Sequence, residues 1–182
     1  PESADRLKAI NKAIEPLHPS LTFKSPISAS ERILEFVHSS EHIENIKNIC
    51  AYGGSIDSDT VCSSDSFDAA RMASGAGIVA LDGIKAGEFE RAFCAVRPPG
   101  HHARPEQAMG FCLFNNIAIA ARYAQSIGYE KVMIIDFDVH HGNGTQETFY
   151  ADDSVFYFSS HQAYIFPGTG DKSDIGEGKG SG

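Results

Sequence analysis

No apolar run in this chain approaches the roughly 18 to 20 residues that a membrane-spanning helix requires, and the first residues carry neither the basic nor the apolar region of a signal peptide. A helical membrane span is therefore not expected, nor is a membrane partner. Positive charge is also short. Fifteen Lys and Arg stand against 24 Asp and Glu, and the net charge of −9 opposes nonspecific nucleic-acid binding while mildly favouring cationic ligands. The four cysteines, Cys50, Cys62, Cys94 and Cys112, form no CxxC pair, so neither a zinc knuckle nor a dense disulfide framework is indicated. Buried, reduced thiols in a cytoplasmic protein are the expectation. No GxSxG elbow supports a serine hydrolase, and Ser173 stands where a GxxxxGK phosphate loop needs its first glycine.

What is present reads as a globular domain: 42% of the 182 residues are hydrophobic and 21% charged, too apolar for a disordered chain. Apolar residues at helical spacing (Leu7, Ile10, Ile14; Ile33, Leu34, Val37; Ile43, Ile46, Ile49) predict three short helices, with Ser30 and Ser39 as caps. Phe67 to Ile84 reads as a fourth, alanine-rich helix in which Gly75 and Gly77 weaken continuity. The pattern then alternates: strand Ala92 to Val96, helix Asn115 to Ser126, strand Lys131 to Asp136, strand Val155 to Ser159. This is the grammar of a mostly parallel α/β sheet. The last 15 residues, six of them glycine, read as loop, and both ends read as cropped, from Pro1 to the closing Gly178–Gly182 stretch.

Two strand ends carry chemistry. The first is Asp136-Phe137-Asp138-Val139-His140-His141-Gly142-Asn143-Gly144. Alternate residues of an extended chain point the same way, so Asp138 and His140 can converge on one metal ion, with Asp136 sharing their parity. Ligands at the carboxyl end of a parallel strand lie where open α/β sheets form their crevices. The bland reading is a strand entering a polar turn. The second segment is Arg97-Pro98-Pro99-Gly100-His101-His102-Ala103. Adjacent histidines at a rigid strand end suit proton transfer, and Asp136 and Asn143 are available to fix their tautomers. A carboxylate and an amide partner would give the two rings different pKa values. His18, His38, His42 and His161 show no partner pattern and read as structural or solvent-facing. Cys112 reads as buried packing rather than a nucleophile, and Phe156, Tyr157 and Phe158 as strand core.

Together with Gly110-Phe111-Cys112-Leu113-Phe114-Asn115-Asn116 and Phe166-Pro167-Gly168-Thr169-Gly170, these segments resemble the zinc-dependent histone deacetylase family in the wide sense, which includes bacterial acetylpolyamine amidohydrolases and acetoin-utilisation proteins. Weaker similarity extends to Pro1-Glu2-Ser3, Arg6-Leu7 and Asp57 to Ala70. The resemblance implies a three-layer arginase/deacetylase-like fold, with a central mostly parallel sheet flanked by helices and incomplete here. Residues 1–182 would be the N-terminal portion of a single catalytic domain. It implies a hydrolase that removes an acetyl group from acetyl-lysine or an acetylpolyamine and releases acetate.

By position, Asp138 and His140 would bind Zn2+. His102 would be the general base and acid and His101 its electrostatic partner, oriented by Asn143 and Asp136 respectively. Phe111 and Phe166 would wall the acyl-lysine tunnel, the Gly110 carbonyl would face the substrate amide, and Asp59 would grip substrate at the rim. Main-chain oxygens of Asp136, Asp138 and His140 with Ser159 resemble a potassium site, and the Phe149 to Val155 loop a second. Asn143, with Phe137 and Val139, resembles the class II and bacterial branch more than class I, where an aspartate is usual. A third zinc ligand and a carbonyl-polarising tyrosine have no counterpart before residue 182, so weak zinc affinity and little activity are expected of these residues alone. Competing readings are a non-catalytic scaffold for acetylated partners and an arginase-type binuclear manganese hydrolase. The latter would want more carboxylates after His140. Homo-oligomerisation is left open.

Overall fold

A computed structural model describes residues 2–180, except the side chain of His18, which lies outside the described set together with Pro1, Ser181 and Gly182. Helix α1, Ala4–Ile14, is capped by Ser3, whose hydroxyl accepts from the Asp5 N–H, and passes into a 3-10 turn over Glu15–Ser20. Helix α2 is a single turn, Glu31–Leu34, and Ser30 before it makes no capping hydrogen bond with its side chain. Ser39 does cap helix α3, Ser40–Tyr52, which buries His42, Ile43, Ile46 and Cys50. A short antiparallel pair follows, β1 (Gly54–Ser55) with β2 (Val61–Cys62).

Helix α4 runs unbroken over Ser66–Lys85, straight through the two glycines that weaken it in sequence. Close packing explains them: a Cβ on Gly75 would collide with the Ile27 carbonyl, and one on Gly77 would lie 3.0 Å from Ala120 of helix α5, Asn116–Ser126. The missing methyl groups let the neighbouring segments approach, which offsets the low helix propensity.

Strand β3, Val132–Asp136, pairs in parallel with β4, Val155–Ser159, so that Ile134 faces Tyr157 and Asp136 faces Ser159. Helix α6, Asn143–Phe149, lies in the crossover, where the sequence offered only a polar turn. Ile134, Val155 and Phe149 are buried with Ala118 and Ala121 of α5, while Met133, Ile135, Phe156 and Phe158 are each more than half exposed. Among the described residues, helices cover one face of this sheet.

Residues 92–96 correct an expectation. The segment pairs with no strand among the described residues, so its N–H and C=O groups lack the ladder that defines a strand. The Val96 carbonyl instead accepts from the Arg6 guanidinium at 2.8 Å. Phe93 is 72% exposed, and Cys94 is exposed while Cys50, Cys62 and Cys112 are buried. The buried-thiol expectation thus holds for three of the four.

Two of the unassigned histidines are core residues. His38 Nδ1 donates to the Arg104 carbonyl at 3.1 Å, and its Nε2 accepts from the Asn115 N–H at 2.9 Å. His42 donates from Nε2 to the Leu113 carbonyl at 3.0 Å, and the rings stack with centroids 4.9 Å apart. The pair staples both ends of the 104–115 loop. Burial, helped by His42, pushes the His38 pKa down to about 3. An unfolded histidine titrates near 6.5, so His38 contributes full stability above that pH, and the contribution is lost progressively as pH falls towards 3. We expect unfolding free energy to fall with acid over that window by up to about 1.4 kcal/mol per pH unit for this residue. His38→Gln, though less stable at pH 7, should show a slope shallower by about one proton in denaturant titrations at pH 5, 6 and 7.

Candidate active site

The tandem histidines sit in a turn between the irregular 92–96 segment and the stapled loop. His101 Nδ1 lies 2.8 Å from Asp136 Oδ2, and His102 Nδ1 lies 2.9 Å from Asn143 Oδ1. Since Asn143 Oδ1 only accepts, His102 carries its proton on Nδ1, leaving Nε2 with a free lone pair; the Asn143 amide is fixed by its donation to Met109 Sδ at 3.4 Å. His102 is 4% exposed, and burial, then the adjacent His101, pushes its pKa down to about 4. It is therefore neutral near pH 7, as a base must be.

Asp136 differs. Burial pushes its carboxyl up, but hydrogen bonds from His101, the Asp138 N–H and the Tyr157 hydroxyl outweigh this and hold it below the usual range. One histidine thus has a carboxylate partner and its neighbour an amide.

Asp138 Oδ1 and His140 Nδ1 are 3.2 Å apart, on side chains about half exposed. A tetrahedral metal with bonds of about 2.0–2.1 Å spaces its ligands by about 3.3 Å, so an oxygen and a nitrogen at this separation fit two positions of such a site. No third His, Cys, Asp or Glu joins them among the described residues.

His101, His102, Asp138 and His140 line one cavity of about 520 Å³, together with Gly110, Phe111, Phe166 and Asp59. Phe166 meets the His102 ring edge-on at 4.9 Å. Gly110 and Phe111 both have positive φ, 57° and 66°, and the Phe111 N–H is held by Thr60 Oγ1 at 3.1 Å. A left-handed aromatic is strained, and Thr60 helps hold it there. The Gly110 carbonyl accepts the Cys112 thiol at 3.3 Å; Cys112 is fully buried, and burial raises its pKa to about 12, which removes it as a nucleophile. Ser159 lies outside this cavity, behind Asp136 as its β4 partner.

The family model of the histone deacetylase domain matches residues 1–182. The chain belongs to the histone deacetylase family. It is 43% identical over its whole length to a histone deacetylase-like amidohydrolase of Pseudomonas aeruginosa, of which it covers 48%. It is 44% identical across 86% of its length to a probable deacetylase of Archaeoglobus fulgidus, covering 44% of that protein. The crystal structure of the HDA15 HD domain superposes with a TM-score of 0.93 at 39% identity, covering 97% of this chain and 54% of the other. The fold is therefore the α/β arginase/deacetylase fold, and the chain spans about half the length of these deacetylase relatives.

Sequence reading missed Tyr157 and Gly142. Tyr157 shares parity with Val155 and Ser159 on β4, which was a usable signal for an inward hydroxyl. A Cβ on Gly142 would collide with Asp136 Oδ2 and approach Tyr157 Oη to 2.6 Å and His101 Nδ1 to 3.0 Å. Gly142→Ala is expected to pull His101 and Asp136 apart. The imidazole N–H proton shared between them should move upfield or vanish by NMR, with far-UV circular dichroism unchanged.

Proposed function

We propose that this chain carries the N-terminal portion of a single-domain, zinc-dependent hydrolase that removes an acetyl group from acetyl-lysine or an acetylpolyamine and releases acetate. Supporting this is one arrangement: a neutral histidine on an amide, a second on a carboxylate, and the Asp138–His140 pair, all facing the same cavity. The names of the relatives, deacetylase and amidohydrolase, give the same reaction class.

In this reading His102 Nε2 takes a proton from the attacking water and returns it to the amine nitrogen as the C–N bond breaks. His101, held by Asp136, supplies electrostatic support beside it, its ring centroid 4.0 Å from that of His102. Asp138 and His140 would hold zinc with a third ligand from outside the described residues, and the bound ion would supply Lewis-acid polarisation of the acyl carbonyl. Phe111 and Phe166 flank the acyl chain and exclude water, the Gly110 carbonyl accepts from the substrate amide N–H, and Asp59 engages substrate at the rim. The carbonyls of Asp136, Asp138 and His140 with Ser159 form a potassium site, and the Phe149 to Val155 loop a second. The bare sheet face receives the C-terminal portion of the domain. We place the protein in the cytoplasm. A second reading is a scaffold that binds acetylated partners without turnover, against which His101, His102, Asp138 and His140 all stand in place around one cavity.

The full-length protein is expected to release acetate from acetyl-lysine peptide or acetylpolyamine, to lose at least about tenfold of that activity to a chelator, and to regain it with zinc. His102→Ala should cut kcat by about 10² to 10⁴. Chelator-insensitive turnover contradicts the zinc reading, and acetyl-peptide binding without acetate release supports the scaffold. The 182 residues alone should turn over little.

A further inference from the structure

Tyr157 lies on β4, opposite Ile134 of β3, with its ring packed beside the Ala118, Ala121, Ile134, Phe149 and Val155 cluster. Nothing about ring packing requires a hydroxyl, yet Tyr157 Oη donates to Asp136 Oδ2 at 3.1 Å. That is the oxygen facing His101 Nδ1 at 2.8 Å, while Asp136 Oδ1 accepts from the Asp138 N–H at 3.1 Å. The Asp138 bond comes from Asp136's own loop, and the His101 bond comes from the group to be oriented. Only the Tyr157 bond ties the carboxylate to a separate, anchored element. A carboxylate rotates about its Cβ–Cγ bond at little cost, so the second donor on Oδ2 is what fixes the plane in which His101 must bind.

We propose that Tyr157 is a positioning residue for the proton-transfer pair, setting the orientation of Asp136 and through it the ring of His101. The inference rests on reading His101 and His102 as that pair. Removing the hydroxyl leaves the Asp136–His101 contact present but less well aimed, and because the His101 and His102 rings are in contact, with centroids 4.0 Å apart and planes tilted by 47°, the misalignment reaches the base as well. The site would keep substrate affinity, since Tyr157 does not line the cavity that holds His102 and Phe166. Loss should fall on the chemical step.

The test is Tyr157→Phe in the zinc-loaded, full-length protein, which keeps the ring and removes only the oxygen. Two readouts are taken. In ¹⁵N-histidine-labelled protein, the His101 Nδ1–H resonance should shift or broaden relative to wild type, with zinc content and thermal midpoint unchanged. In steady-state deacetylation, kcat should fall by about tenfold with KM within about twofold, the signature of an orienting group. An unshifted resonance, or kcat within twofold of wild type, overturns the proposal, as does a kcat loss that tracks lost zinc or lost stability. If the wild-type protein shows no turnover, the deacetylase reading fails, and the NMR readout alone still decides whether Tyr157 sets the His101 contact.

Discussion

Asp136 sits on the last rung of β3, and its carboxylate must satisfy several neighbours at once. It is 11% exposed, and a buried charge costs several kcal/mol unless donors surround it. Three do: His101, Tyr157 and the Asp138 N–H. Each comes from a different part of the chain, so the site exists only when the turn at 101, strand β4 and the 136–140 loop are all in place. The parallel register that sets Asp136 against Ser159 makes this possible, since it brings Tyr157 within reach. Gly142 supplies the empty volume in which the groups meet.

The rest of the structure holds the cavity wall. The His38–His42 stack fixes the 104–115 loop through three main-chain groups. Asn115 extends this restraint: its Nδ2 donates to the Ala103 carbonyl and its Oδ1 caps α5 through the Ala118 N–H. The loop between these anchors carries Gly110 and Phe111 in left-handed conformations, strain that a loosely held loop would relax. Neutral core histidines suit this work: the His38 ring both donates and accepts, and the His42 ring donates, without burying a charge.

Much of the site was legible because its residues are local. Asp136, Asp138 and His140 share strand parity, and the tandem histidines announce themselves as a dipeptide. The pairing of His101 with Asp136 and His102 with Asn143 was open on chemistry alone, and the structure sets it. What stayed hidden depends on long-range contact. A glycine inside a helix reads as a weakness until the Ile27 carbonyl is seen against Gly75. His38 and His42 look solvent-compatible until Arg104, Leu113 and Asn115 come to meet them. Ala92 to Val96 has a strand's composition, yet a strand is a property of two segments, and no partner lies beside it among the described residues. Helix α6 was invisible because Gly142-Asn143-Gly144 is turn chemistry by propensity, and packing of Thr145 and Phe149 overrides it.

In the proposed function, Asp138 and His140 converge on a catalytic metal beside the neutral His102. X-ray absorption at the zinc edge, on full-length protein purified with its native metal, tests it most directly. With Asp138 and His140 on the ion, the first shell should include oxygen and nitrogen at about 2.0–2.1 Å, with outer-shell imidazole scattering that weakens or disappears in His140→Ala. A first shell of sulfur alone at about 2.3 Å, or a spectrum unchanged by that substitution, would contradict it.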